Sequence, residues 1–549
     1  MIFIKLISYL QSNPGWPKMP LVPFVLKPHF MLVSVGMSKK IRVHGGKICL
    51  IYKSLQTKLL GTMVSVNAGK RKRLGLARTL LLFLVSLLGA LGAHAQHLTA
   101  TISPDPSKHS AEIDAVFSES VFIVKLPETV SWAADELHCF DREGRKSDVT
   151  EARPRQFVAL KGVVRCIYSV SVLGADIGAL RAHRSWIAAT NGILMLGDLL
   201  PENGRDGAAV RVELPVEWNV TGEYSENEAI TFQDASKAVI PIGKDWRRSS
   251  LRARQNDVEL IIADQWPFSD AEAVAVAAKI GNIYAASIGP LRAEKPAVVM
   301  FRMPQGTPPG QWEAETRGTT IVITSSDMPF ASQSLQRLNE QLRHEMFHLW
   351  FPNGVALSGR YDWFYEGAAQ YVSLLTAVRT GTIRFEDMLD TLSRAMTIEA
   401  AYPQQDLTMM YGGPVAANIL TYARGLTIAF LFDIARLERS NGKSSFGDIL
   451  RELYREYPMN RPGRDATQAL LAEFGKYGEL TPLVDALVTA KRDVPAVNVI
   501  QLLGKCGIAD AVAGTAHKLS AMQKLSSRQK ALLDKLGYNA WRSSTKDLK

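Results

Sequence analysis

The five residues His344-Glu345-Met346-Phe347-His348 restrict this chain more than any other stretch of it, because they sit in a run whose apolar residues, Leu335, Leu338, Leu342 and Leu349, recur at helical spacing. On a helix turning about 100° per residue the two histidines lie only about 40° apart, so both imidazoles can grip one metal ion from one face. Glu345 falls roughly 60° from His348, between the histidines and the apolar stripe. From there it can address a water on the metal without binding the metal itself. The fold must therefore supply a helix here and a second element that faces it.

A catalytic zinc ordinarily has three protein ligands and one open position. The third ligand has to come from elsewhere, and "YDWFYEGAAQYVSLL" offers Glu366, 18 positions after His348. Pro352 to Gly359 form a turn between two helices, and an antiparallel return over that length brings Glu366 back to the histidines. Trp363, Phe364 and Tyr365 before it and Gly367, Ala368 and Ala369 after it favour burial, where a carboxylate needs a cation. The alternative is a solvent-facing Glu that complements the dipole at a helix start. His517, His183 and His138 are rival third ligands, each standing alone among helix or strand residues. Nitrogen and carboxylate donors in a four-coordinate site favour one Zn2+ per chain.

From Gln96 to Lys244, runs such as "SVFIVKL", "QFVALKGVVRCIYSVSVL", "AVRVELPVEW" and "AITFQ" are separated by Asp, Gly, Pro, Asn and Ser, the pattern of an all-β sandwich. Between Asp245 and Asp327 strands such as "VELIIAD" and "AVVMFRM" alternate with an Ala-rich helix around Ala271 to Ser287. From Ser332 onward helices dominate: one through Phe351, one from Asp362 to Ala377, one from Ala416 to Ser440, then shorter ones. Breaks fall at Pro352-Asn353-Gly354, Gly412-Gly413-Pro414 and Asn460-Arg461-Pro462-Gly463. A polar tail is expected from Ser543 to Lys549.

The formal charge of +11 suggests a polyanion partner only until it is located. Residues 1–95 hold 14 of the 64 Lys and Arg and no Asp or Glu, which leaves 50 basic residues against 53 acidic ones in the remainder. That remainder gives no electrostatic reason for a nucleic-acid partner. Within the basic front, Lys70 to Arg73 with Arg78, the apolar run Leu80 to Ala93 and the Ala93-His94-Ala95 site have the order of a secretory signal beginning at Met63 and cleaved before Gln96. The apolar run is short of the roughly 20 residues that span a bilayer, and nothing after Ala95 has that length, so no stable membrane insertion is expected. The expectation is an exported chain, periplasmic or secreted, with a signal over 63–95 and a non-native extension over 1–62. Export permits disulfides: Cys139 and Cys166 can pair and leave Cys506 free, or all three can serve as small buried residues.

His344 to His348 followed by W-F-Y-E-G-A-A-Q-Y resembles the gluzincin zinc metallopeptidases, the clan of aminopeptidase N, the leukotriene hydrolases and the glycyl aminopeptidases. "TYARGLTIAFLFDIARLERSNGKSSFGDILREL" resembles the Y-x-K-G helix of these families, and its Gly-Lys-Ser-Ser stretch resembles the glycyl aminopeptidases in particular. "FGKYGELTPLVDALV" and "LLGKCGI" resemble the end of their catalytic domain. The resemblance, over 258–508, implies a multidomain α+β chain: an N-terminal β domain over 96–244, a thermolysin-like α+β catalytic domain over 245–440 and a C-terminal helical region over 441–549. It implies zinc on His344, His348 and Glu366, Glu345 as general base, and peptide or protein substrates. It also implies that Tyr422 steadies the oxyanion, with Tyr411 in reserve; a phenol suits this role because it donates a hydrogen bond without charge at neutral pH.

The short connection between His348 and Glu366 resembles that of aminopeptidase N and is unlike the longer insertion usual in glycyl aminopeptidases, and the PDZ domain that many glycyl aminopeptidases carry after the catalytic part is not expected here. "ETRGTTIVITSSD" stands where a G-x-M-E-N element would grip a free amino terminus, which leaves Glu313 and Glu315 as candidates for that grip. The expected function is an aminopeptidase. Its rival is a catalytically inactive peptidase-like envelope protein that binds peptides or a protein partner.

Overall fold

The computed structural model describes residues 98–540 except 128–136, 173–180, 222–227, 253–256, 294, 403–405, 410–414 and 492–496. The signal, the extension before it, the Gly412-Gly413-Pro414 break, Tyr411 and the polar tail lie outside the described residues. Leu98–Asp105, Ser110–Lys125 and Gln156–Ser171 are neighbours in an eight-stranded sheet. Alternation along the first of them buries Leu98, Ala100 and Ile102, so one face of this sheet meets a core. A four-stranded sheet that includes Asn191–Met195 and Val239–Gly243 sends Ile187, Leu194, Ile240 and Ile242 into the same core, giving two packed sheets. Cys139 and Cys166 lie opposite each other on adjacent strands and are joined as a disulfide, while Cys506 is buried and free.

All five residues of Asn191–Met195 are buried, because the four-stranded sheet is covered on both faces. On its second side Trp186, Ile193, Met195 and Val239 pack with Ile261, Val299, Phe301 and Val322 of a five-stranded sheet. That sheet runs in the order Arg247–Arg252, Asp257–Ile262, Ala297–Arg302, Thr320–Ser325, Trp312–Arg317. The three central strands are parallel and the outer two antiparallel to their neighbours, which leaves Trp312–Arg317 as an edge strand. Helix α1 (Asp270–Ser287) starts at a reciprocal capping box between Ser269 and Glu272. It is followed by α2 (Ala331–Glu345), α3 (Asp362–Arg379), α4 (Phe385–Ala400), α5 (Val415–Ser440) and α6 (Phe446–Glu456).

Helices α3 and α5 cross at Gly367 and Gly425. A Cβ on Gly425 would fall 2.1 Å from the Trp363 carbonyl oxygen, and one on Gly367 would fall 2.2 Å from the Gly425 carbonyl carbon. Only glycine lets the two backbones approach this closely. The same helices share Asp433, which accepts the Tyr371 hydroxyl at 2.6 Å and the Phe446 N–H, at the start of α6, at 2.8 Å. Burial pushes the Asp433 carboxyl above its usual range. Tyr371→Phe leaves that carboxyl buried without its hydroxyl donor, and is expected to cost about 1–3 kcal/mol in denaturant unfolding.

The C-terminal region is not wholly helical as expected. Ile508–Ala513 and Ala516–Ala521 form a hairpin that packs on α4. Its strands bury only Ile508 and Leu519, so the apolar alternation that announces a strand is missing from the sequence.

Candidate metal centre

The α-helix expected to run through the second histidine ends at Glu345, and Met346–Leu349 continue it as a 3₁₀ turn. His344 and Glu345 thus stand on the last α-turn and His348 on the tighter one. The imidazoles still converge, with their Nε2 atoms 3.2 Å apart. The turn is pinned from α1 and just beyond it: the Tyr284 hydroxyl donates to the Arg343 carbonyl, and the Trp350 indole N–H donates to Gly289 O at 2.8 Å. His348 is oriented by its own Nδ1, which donates to the Phe351 carbonyl at 2.9 Å and leaves Nε2 as the ligand nitrogen.

Helix α3 returns against α2 and carries Glu366 to the histidines. Its Oε2 lies 3.2 Å from His344 Nε2 and 3.6 Å from His348 Nε2. Among the described residues these three form the single cluster of metal-ligating donors, with ligand atoms all within 4.8 Å of one another. Donors held at 2.0–2.1 Å around a tetrahedral zinc stand about 3.3 Å apart. The separations of 3.2, 3.2 and 3.6 Å fit that edge length. Glu366 Oε2 is buried between the two imidazoles, and a buried carboxylate oxygen calls for positive charge, which either protonated histidines or a shared cation supply.

Burial opposes charge on both His348 and Glu366, yet their mutual attraction overrides it. His348 is pushed up to about 9, and the two histidines hold Glu366 well below the usual carboxylate range. Tyr422 faces this group because of the glycine crossing, since Glu366 directly precedes Gly367 and Tyr422 stands three residues before Gly425. Burial, then the charges of Glu366 and Glu345, raise the phenol far above its ordinary pKa, so it remains a donor. Tyr365 stands edge-on to His348, with ring centroids 5.8 Å apart.

The rival ligands stand elsewhere. His517 Nδ1 lies 2.8 Å from Asp510 in the C-terminal hairpin, and His138 is an exposed residue of the N-terminal sheet. His183 Nδ1 is 2.5 Å from Glu315 Oε2. Arg317 also binds Glu315, at 2.8 Å, and reaches the His183 carbonyl at 2.7 Å, so a carboxylate considered for gripping an amino terminus is already paired twice. Glu313 accepts the Ala182 N–H at 3.4 Å. Sequence reasoning missed Thr316 altogether. Its Oγ1 lies 2.9 Å from the Glu345 carbonyl oxygen and 2.9 Å from Glu345 Oε2. No motif marks such a threonine; its only signal is a place in a β-forming stretch shortly before the histidine helix.

No family model matches the chain. No curated protein matches it in sequence. Among solved structures it is similar to an aminopeptidase N family protein from Idiomarina loihiensis, with a TM-score of 0.61 and 16% identity over 75% of this chain and 79% of that one. It is also similar to an M1 zinc metallopeptidase from Deinococcus radiodurans, with a TM-score of 0.46 and 18% identity over 73% of this chain and 95% of that one. What is shared at this level of identity is architecture, and the architecture is the multidomain α+β fold of an aminopeptidase N family protein.

Proposed function

We propose that the chain is an exported zinc-dependent metallopeptidase, acting as an aminopeptidase, in which His344, His348 and Glu366 hold one Zn2+. The observation that carries this reading is the buried three-donor cluster, whose ligand atoms stand at the spacing of a tetrahedral zinc site. Bound zinc supplies an open position at which water is acidified toward neutrality and a carbonyl is polarised. Glu345 takes the proton from the attacking water and returns it to the leaving amine. Tyr422 donates its hydroxyl to the oxyanion that develops on the attacked carbonyl. The Cys139–Cys166 disulfide supports export, since such bonds persist in oxidising compartments. Among the described residues no helix is long and apolar enough to cross a membrane.

The test is metal analysis paired with hydrolysis of aminoacyl and internally quenched peptides, with and without chelator. One zinc per chain and chelator-sensitive cleavage of the aminoacyl substrate is the expected result. Cleavage of the quenched peptide alone would replace the aminopeptidase with an endopeptidase. Zinc without cleavage of either would overturn turnover in favour of peptide binding, and no zinc would overturn the metal centre. Tyr422→Phe, which removes one donor to the oxyanion, is expected to lower kcat by about 10²–10³-fold with zinc retained.

A further inference from the structure

We propose that Thr316 is a positioning residue that decides which oxygen of Glu345 serves as the base, an assignment that rests on the metallopeptidase reading above. The Thr316 hydroxyl has one hydrogen and faces two acceptors, the Glu345 main-chain carbonyl and Glu345 Oε2, each at 2.9 Å. While Glu345 is ionised its carboxylate is the stronger acceptor, and the hydrogen goes to Oε2. With Oε2 engaged by Thr316, the role of base is assigned to Oε1. Thr316 keeps its own hydrogen throughout and passes no proton.

The strand that carries Thr316 is built to hold it still. Thr316 pairs with Ile321 in the antiparallel register of the edge strand. Side chains alternate along a strand, so Glu315 and Arg317 turn away from α2 and toward the N-terminal β region. There Glu315 meets His183, and Arg317 meets the His183 carbonyl and, at 3.6 Å, Asp198. Glu315 is thereby tied to the half-buried His183 and Arg317 to the buried Asp198, and Thr316 is left aimed at Glu345.

The experiment compares Thr316→Val and Thr316→Ser with the native full chain. Valine keeps the shape and removes the hydroxyl; the expected result is a kcat lower by about 10–100-fold, the usual effect of losing such a supporting partner, with zinc content unchanged. KM is expected to stay within about two-fold, since the hydroxyl acts on the base and not on substrate binding. Serine restores the hydroxyl and is expected to recover most of the rate. Native kcat in the valine variant, or a serine variant as slow as valine, would overturn the proposal. A second readout needs no turnover: denaturant unfolding of Thr316→Val, Glu345→Ala and the double variant is expected to be non-additive, and additivity would overturn the proposal. Should the native chain cleave no peptide, the metallopeptidase reading and with it the role of Thr316 would fall, while non-additive unfolding would still show the contact itself.

Discussion

Glu345→Gln is expected to retain one zinc per chain and to lose turnover by about 10²–10⁴-fold. The amide has the size of the carboxylate, fits the same buried position and still offers Thr316 an oxygen acceptor. What it cannot do is take a proton from water. The loss should therefore fall on kcat and leave KM nearly as it was, because the group acts in the transition state and not in holding substrate. Metal analysis and steady-state kinetics on the same preparation decide the matter. A variant that keeps its zinc and works within ten-fold of the native rate would remove Glu345 from the role of base.

Gly425→Ala carries a single methyl group into the crossing of α3 and α5. That carbon would lie 2.1 Å from the Trp363 carbonyl oxygen and 2.9 Å from the Gly367 Cα. Both neighbours are backbone and cannot rotate aside, so the helices must separate. Overpacking of this kind costs about 1–3 kcal/mol, readable as a lower denaturant midpoint. The rate should suffer more than the stability. Glu366 and Tyr422 ride on opposite sides of the crossing, and a displacement of about 1 Å at a reacting centre can cost on the order of 10²-fold. Gly367→Ala is expected to act in the same direction, and the double variant to be less damaging than the two losses combined, since either methyl group already forces the helices apart. A folded Gly425→Ala protein with native turnover would show that the crossing does not set the distance between the two residues.

The parts of this structure legible in the sequence are those fixed by short-range pattern. His344 and His348 announce a shared helix face by their spacing, and Glu366 follows from a turn of the right length and a sequence suited to burial. The Ala-rich helix, the long α5 and the strands of the N-terminal sheet likewise show their own periodicity. The parts that escaped depend on partners far along the chain. Thr316 gains its meaning only when the edge strand is laid beside α2, and His183 is taken from the list of ligands only by Glu315, 132 positions away. The passage from α-helix to 3₁₀ turn after Glu345 is a response to packing, with Tyr284 and Trp350 tying the helix end to α1, and leaves no mark in the spacing of the histidines. The C-terminal hairpin escaped for a different reason, namely that only Ile508 and Leu519 of its strands are buried, too few to make an apolar alternation.

The core shared by Trp186, Ile193, Phe301 and Val322 makes the N-terminal sheets and the five-stranded sheet mechanical parts of one body. The C-terminal end of the edge strand is moored in that body through His183 and Asp198. Cutting the β region away would strip that core from one side of the five-stranded sheet, so the remaining part is not expected to fold alone. Transplanting the histidine and glutamate helices into another chain would carry over the three donors but leave behind Thr316 and its strand, so under the proposed function the recipient is expected to bind zinc and to cleave poorly.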